Sequence, residues 1–199
     1  MTREPTMDAV TATWRATQKA HRRASLMRSA ARLFAERGFA AVSTVELGEA
    51  VGMSGPALYN YFPSKDALLA ELLTDASTRL LDGCREIVAE QAAPDDTLAR
   101  LVRFHLDFAT ADPDTIRLQD RELAQLATEA NHEVRRLQRE YVQEWDAVLA
   151  RLRPHLAADE RQTRLLATFG LLNSTPHSAV AANAPAILAD MALRALAGA

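Results

Sequence analysis

The chain has 199 residues and a mass of 21.8 kDa, the length of one ordinary domain or of two small helical ones sharing a long helix. Hydrophobic residues at 48% and charged residues at 25% exclude disordered and fibrous classes, and seven Gly with eight Pro argue against a loop-rich all-β protein. Cys84 is the sole cysteine, which excludes an internal disulfide, a zinc ribbon and a redox dithiol motif. No apolar run approaches the roughly 18 residues of a membrane span, and the first 20 residues carry Arg3, Glu4, Asp8, Arg15 and Lys19 instead of a signal-peptide core. The expectation is a cytoplasmic protein with no membrane partner. The net charge of −3 is unevenly spread: residues 15–65 sum to +5 and residues 66–199 to −7. A basic N-terminal third suggests that this part faces a polyanion.

The opening MTREPTMDAVTATW has no sustained apolar period and reads as a flexible arm. From Ala24 the period becomes helical, with Leu26, Ala30, Leu33 and Phe34 on one stripe, and Gly38 stops this first helix. Ser43 stands three residues before Glu46, the spacing of a capping box, and opens a short second helix that ends at Gly52. Ser54 is placed as the N-cap of a third helix with Pro56 early in it, and Pro63 disfavours helical geometry at Phe62. Ser64 caps a fourth, in which Leu69, Leu72, Leu73, Ala76, Leu80, Cys84, Ile87 and Val88 keep the period for about 20 residues.

Five further helices are expected: one that Asp95-Asp96 precede and that runs to about Thr110, one from Asp112-Pro113 to about Leu126, one from about Thr128 to Leu152, one from Asp159 to about Asn173 and one from Ala184 to Ala197. Turn and cap residues bound them, and no strand-like alternation intervenes. The predicted fold is all-α with about nine helices.

Three short helices, the second and third joined by a tight Gly-containing turn, form a helix-turn-helix arrangement whose last helix enters the DNA major groove. Gly55, Pro56 and Ala57 are small enough for close approach to base edges, and Leu58, Tyr59, Tyr61 and Phe62 behind them can lock the helix angle. Phosphate contacts in such modules come from hydroxyls and basic side chains, which makes Thr44, Ser54, Tyr59, Tyr61 and Lys65 candidates for positioning. Arg15, Lys19, Arg22 and Arg23 in the arm have the charge to meet phosphates or an adjacent minor groove.

The stretch from Arg22 to Leu73, with Phe-Ala-Glu-Arg-Gly-Phe, Ser-Thr, Val-Gly-Met-Ser, Leu-Tyr-x-Tyr-Phe and Ser-Lys-Asp-x-Leu in that order, resembles the DNA-binding domain of TetR-family transcriptional regulators. The resemblance implies an arm over 1–21, a DNA-binding domain over 22–66 and an effector-binding and dimerisation domain over 67–199. It implies a homodimer paired through about Asp159 to Ala197 on double-stranded operator DNA, most often as a repressor released by a small molecule. Carried over position by position, Thr44, Val45, Gly55, Pro56, Ala57, Tyr59, Asn60, Tyr61 and Lys65 sit where the family touches DNA. Two positions depart from the pattern. Gly55 stands where many members have Arg or Gln, which shifts base reading toward Asn60 and the arm. Gly48 stands where Ala is commoner, at a cost of roughly 1 kcal/mol in helix propensity that closer helix packing could offset.

By the same analogy an effector pocket lies among residues 95–173, with Phe104, His105, Phe108, Gln119, Tyr141, Trp145, Phe169 and Asn173 as candidates on inner faces. RLQDRELAQL and VRRLQREYVQEW look like effector domains that answer to lipids and acyl-CoA thioesters, with Arg117, Arg121, Arg135, Arg136 and Arg139 available for phosphates. The plainer reading of those arginines is an exposed, charge-paired helix face. A second function class is a dimeric DNA-binding or interaction protein with no small-molecule effector, which a fully packed C-terminal core would favour. An enzyme is not expected: His21, His105, His132, His155 and His177 lie on five segments without metal-ligand spacing, and no phosphate loop or nucleophile motif occurs. No cofactor and no metal are expected.

Overall fold

The computed structural model describes residues 7–175 and 182–198, with the backbone alone described for 7–13 and 15. Residues 1–6 of the expected arm, the Arg15 side chain, His177 and the stretch 176–181 inside the expected pairing segment lie outside the described residues. Nine α-helices and one 3-10 turn occur among the described residues: α1 Met7–Arg37, α2 Thr44–Glu49, α3 Gly55–Leu58, α4 Lys65–Ala89, α5 Pro94–Ala111, α6 Pro113–Glu122, the turn Leu123–Gln125, α7 Thr128–Leu152, α8 Ala158–Asn173 and α9 Ala184–Ala197. No strand is present among them, so the class is all-α. The chain forms two compact units that divide within α4, between Leu69 and Ala70.

In the N-terminal unit, α1 begins well before the expected Ala24. Residues 7–21 are helical where an arm is predicted, because nothing between Met7 and Arg37 is Gly or Pro and most residues there tolerate a helix. Leu26, Ala30 and Phe34 are fully buried, while Leu33 is only half-buried; Ala31 and Ala35 complete the stripe in its place. Gly38 ends α1 at φ 85°, the left-handed region that a β-carbon disfavours. The Phe34 and Phe39 rings meet edge to face at 5.2 Å across that end.

The capping box of α2 forms as predicted. The Glu46 N–H donates to Ser43 Oγ at 3.2 Å and the Ser43 N–H donates to Glu46 Oε2 at 2.8 Å. Arg37 adds an ion pair to Glu46 at 2.6 Å. The Ser43 backbone amide, then its hydroxyl, then Arg37 hold the Glu46 carboxyl down to about 2. Ser64 Oγ accepts from the Ala67 N–H at 3.0 Å and so caps α4.

The C-terminal unit gathers Leu80, Leu81 and Cys84 of α4 with Leu98, Leu101 and Val102 of α5, Tyr141, Trp145, Val148 and Leu149 of α7, Leu165 and Leu172 of α8, and Leu188 and Leu196 of α9 into one core. Helix α5 packs against α7, α8 and α9, and α8 packs against α9. No described helix is long and apolar enough to cross a membrane.

Candidate nucleic-acid interface and ligand cavity

Helices α2 and α3 are held at very short range. The Met53 N–H donates to the Gly48 carbonyl at 2.9 Å, and Gly52 turns the chain at φ 68°. A β-carbon at Gly48 would lie 2.7 Å from the Met53 carbonyl oxygen and 2.9 Å from the Ser54 carbonyl carbon. The missing β-carbon of Gly48, at a cost in helix propensity, permits an approach that alanine forbids.

Of the candidates on this module, Val45, Ser54, Pro56, Tyr59 and Asn60 are exposed, and Thr44, Ala57 and Tyr61 are partly so. Val45 and Tyr59, both large and apolar for surface residues, show 53% and 54% of their area to solvent. The Ser54 side chain makes no cap hydrogen bond to α3.

Two candidates are placed otherwise than expected. Gly55 is buried against Val45, whose Cα would stand 3.1 Å from an added β-carbon, so its role is to close the α2–α3 crossing. Lys65, expected to meet a phosphate, donates from Nζ to the Phe39 and Val42 carbonyls at 2.9 Å each and lies 4.4 Å from the Phe39 ring centroid. Its charge clamps the chain between α1 and α2, where two carbonyls lack helical partners.

The N-terminal extension of α1 adds to the surface of this module. Trp14, Gln18, Lys19 and Arg22 share one face of α1 and, with Asn60 and Tyr61, line an open cleft of about 430 Å³. Arg23, by contrast, is spent inside the unit, its guanidinium 4.5 Å from the Phe62 ring centroid.

In the C-terminal unit a half-open cavity of about 200 Å³ is lined by Ser77, Leu80, His105, Gln119, Gln138, Tyr141, Val142, Leu166, Phe169 and Asn173. Five of the eight predicted ligand residues are brought together here: His105, Gln119, Tyr141, Phe169 and Asn173. The other three are not in the lining. Phe104 packs its ring on Gly83 of α4, where any β-carbon would collide with it. Phe108 lies under the Arg79 guanidinium at 5.0 Å. Trp145 is fully buried, with its ring 5.0 Å from that of Phe169 and 5.9 Å from that of Tyr141. The lining residues that were missed stand at helical spacing from those that were found: Gln138 three before Tyr141, and Leu166 three before Phe169. That spacing was the available signal.

The polar wall has a defined proton order. His105 Nε2 lies 2.9 Å from Asn173 Oδ1 and His105 Nδ1 lies 3.0 Å from the Tyr141 hydroxyl. Burial drives the His105 pKa down to about 4, against a smaller upward pull from Asn173. The ring is therefore neutral at pH 7, donates from Nε2 to the amide oxygen, and accepts at Nδ1 from the tyrosine hydroxyl. Burial also keeps the Tyr141 phenol protonated. Gln119 Nε2 donates to Ser77 Oγ at 3.3 Å, and Ser77 passes its own proton to the Leu73 carbonyl at 2.8 Å.

The arginines suggested for phosphates do not converge on this cavity. Arg117 pairs with Asp114 at 2.8 Å, Arg136 pairs with both Glu133 and Glu140, and Arg135 donates to Asn131 Oδ1 at 2.9 Å. Arg121 also has a partner. Arg139 lines a separate open groove with His132 and Arg136. The charge-paired reading holds for Arg117 and Arg136.

Comparison with known proteins follows the same division of the chain. Residues 26–72 match the family described as bacterial regulatory proteins, tetR family, and residues 91–177 match the tetracyclin repressor-like C-terminal domain. The HTH-type transcriptional repressor KstR2 of Rhodococcus jostii RHA1 is 32% identical over 132 residues, 66% of this chain and 65% of that protein, so the match spans just under two thirds of the relative's length. A TetR-family transcriptional regulator from Bordetella parapertussis superposes with a TM-score of 0.81 at 25% identity, over 88% of this chain and 94% of the other. AibR in complex with isovaleryl coenzyme A and operator DNA superposes with a TM-score of 0.75 at 18% identity, over 88% and 97%, which is a likeness of fold.

Proposed function

The chain belongs to the TetR family of bacterial regulatory proteins, and from that premise we propose that it is a ligand-responsive transcriptional repressor that binds a near-palindromic operator as a homodimer. The observation that carries the DNA-binding part is the surface of the α2–α3 module. Val45, Pro56, Tyr59 and Asn60 are exposed together on α2, α3 and the turn that follows α3, a module locked by the Gly48–Met53 approach. Pro56, Ala57 and Asn60 face base edges, with Asn60 the side chain that can pair with adenine. Thr44, Ser54, Tyr59 and Tyr61 supply hydroxyls to phosphates, joined by Lys19 and Arg22 of the α1 extension. Gly55 and Lys65 act from behind, as positioning residues.

Dimerisation is assigned to α8 and α9, within Asp159–Ala197. Leu166 on α8 and Ile187 and Met191 on α9 expose 54%, 45% and 48% of their area, an apolar excess suited to a partner copy. The effector site is the cavity behind His105. Ser77 and Leu80 in its wall belong to α4, a continuous helix whose first residues belong to the DNA-binding unit. A ligand that displaces α4 would change the spacing of two recognition helices that must enter grooves about one helical turn apart.

The test is selection of operator sequences from a random duplex pool by the purified full-length protein. The expected result is a near-palindromic site bound by wild type and lost in Tyr59→Ala and Asn60→Ala with the dimer intact. Failure to enrich any site, or unchanged binding by both variants, overturns the reading. A second reading of the ligand, an acyl-CoA thioester, is favoured by the isovaleryl coenzyme A found on AibR. It would place the acyl chain in the cavity and the nucleotide outside it. A protein without an effector is disfavoured by the cavity that His105, Tyr141 and Asn173 line.

A further inference from the structure

The cavity's wall is chemically selective in a way that narrows the effector. Among the described residues it holds a histidine, a tyrosine, a serine and three amides, and no Asp, Glu, Lys or Arg. The histidine is neutral at physiological pH, as its buried position between Asn173 and Tyr141 requires. An ionised group entering this half-open space would give up part of its hydration without meeting an opposite charge.

The hydrogen-bond order says more. Asn173 already uses its amide oxygen on His105, and Tyr141 and Ser77 already spend their protons on His105 and the Leu73 carbonyl. What Asn173 has left to offer a ligand is its N–H₂; Gln138 brings a further amide, and Gln119 keeps one N–H beyond its bond to Ser77 Oγ. Leu80, Val142, Leu166 and Phe169 form the apolar remainder. At about 200 Å³ the space is below the ~300–1,000 Å³ of pockets for drug-sized ligands.

We infer that the effector is a compact, uncharged molecule with a carbonyl group, an ester, lactone or ketone on a short apolar body, whose oxygen accepts from Asn173 while the body lies against Phe169 and Leu166. The inference rests on the cavity being the effector site. It excludes free carboxylates and places the phosphates of a coenzyme A ester outside the recognised set.

Isothermal titration of the full-length dimer with γ-nonalactone and methyl octanoate, against 4-hydroxynonanoate, octanoate and octanoyl-CoA, tests it. Both neutral probes are expected to bind, about tenfold or more tighter than the carboxylates, a gap of about 1.4 kcal/mol or more. Asn173→Leu is expected to lose about tenfold of the ester and lactone affinity, and Gln119→Leu, which leaves the His105 partners in place, a smaller part. Octanoate or octanoyl-CoA binding as tightly as the ester, or no binding by either neutral probe, overturns the inference. Operator binding by the ligand-free protein is measured in parallel. Its absence would defeat the regulator reading, while the titration still decides the chemistry of the cavity.

Discussion

Gly48 of α2 stands so close to Met53 that a β-carbon on it would lie 2.7 Å from the Met53 carbonyl oxygen. The obstacle is backbone, and that backbone is itself tied down by the Met53 N–H to Gly48 carbonyl bond of 2.9 Å. Gly48→Ala would gain about 1 kcal/mol of helix propensity and meet a clash that no side-chain rotation relieves. Net destabilisation of about 1–3 kcal/mol is expected, with loss of operator binding. A variant as stable as wild type by thermal unfolding would mean that the two helices can separate freely.

Lys65 distinguishes a clamp from a phosphate contact. Removing the ammonium in Lys65→Met leaves the Phe39 and Val42 carbonyls short of a donor, at a cost of about 1–3 kcal/mol. The salt dependence of operator binding should then keep its slope, since no counterion-releasing contact is lost. A slope shallower by about one unit per site, with stability unchanged, would return Lys65 to the DNA interface.

His105 makes the C-terminal unit acid-sensitive. Its folded pKa of about 4 lies below the ordinary 6.5, so the unfolded chain binds the proton first as pH falls. The contribution is complete above about pH 6.5 and is lost progressively toward pH 4, by up to about 3 kcal/mol. His105→Gln should flatten the stability profile over that window. The Glu46 carboxyl, held at about 2 against an ordinary 4.5, acts below pH 4.5 and should be untouched by the substitution.

Cys84 offers a probe of opening. Its thiol is fully buried in the C-terminal core, and burial, with a smaller push from Glu144, raises its pKa to about 12. The thiolate that reacts with disulfide reagents is therefore scarce in the native state. Labelling is expected to proceed only through opening of the core, to slow when a cavity ligand is bound, and to accelerate in His105→Gln at pH 7. Rapid labelling independent of ligand would contradict the packing around α4.

The Ser43–Glu46 box gives a local check on the DNA-binding unit. Ser43→Ala should cost about 1 kcal/mol, read as a lower midpoint of thermal unfolding, and Glu46→Gln less, because glutamine can still accept from the Ser43 amide. A larger loss in Glu46→Gln than in Ser43→Ala would indicate that the Arg37 ion pair dominates instead.

The sequence by itself determined the helices, their order and the family, because caps, glycine stops and the 3.6-residue period are local signals read within a few residues of chain. Ser43, Ser64, Gly38 and Gly52 each act where the sequence puts them. The start of α1 was not legible, since a stretch without glycine, proline or apolar period neither demands nor forbids helix. Tertiary structure alone decided what lies opposite each residue. Gly55 reads as a groove residue in the sequence, but Val45 occupies the space beside it, and Lys65 reads as a free cation, but two carbonyls of the link between α1 and α2 hold its ammonium. Phe104 and Trp145 had the right helical faces, yet the packing of α4 against α5 and of α7 against α8 put them behind the cavity wall. A helical period names the buried face of an element; whether that face meets another side chain or a void depends on contacts between residues distant in sequence, and those are fixed only when the helices pack.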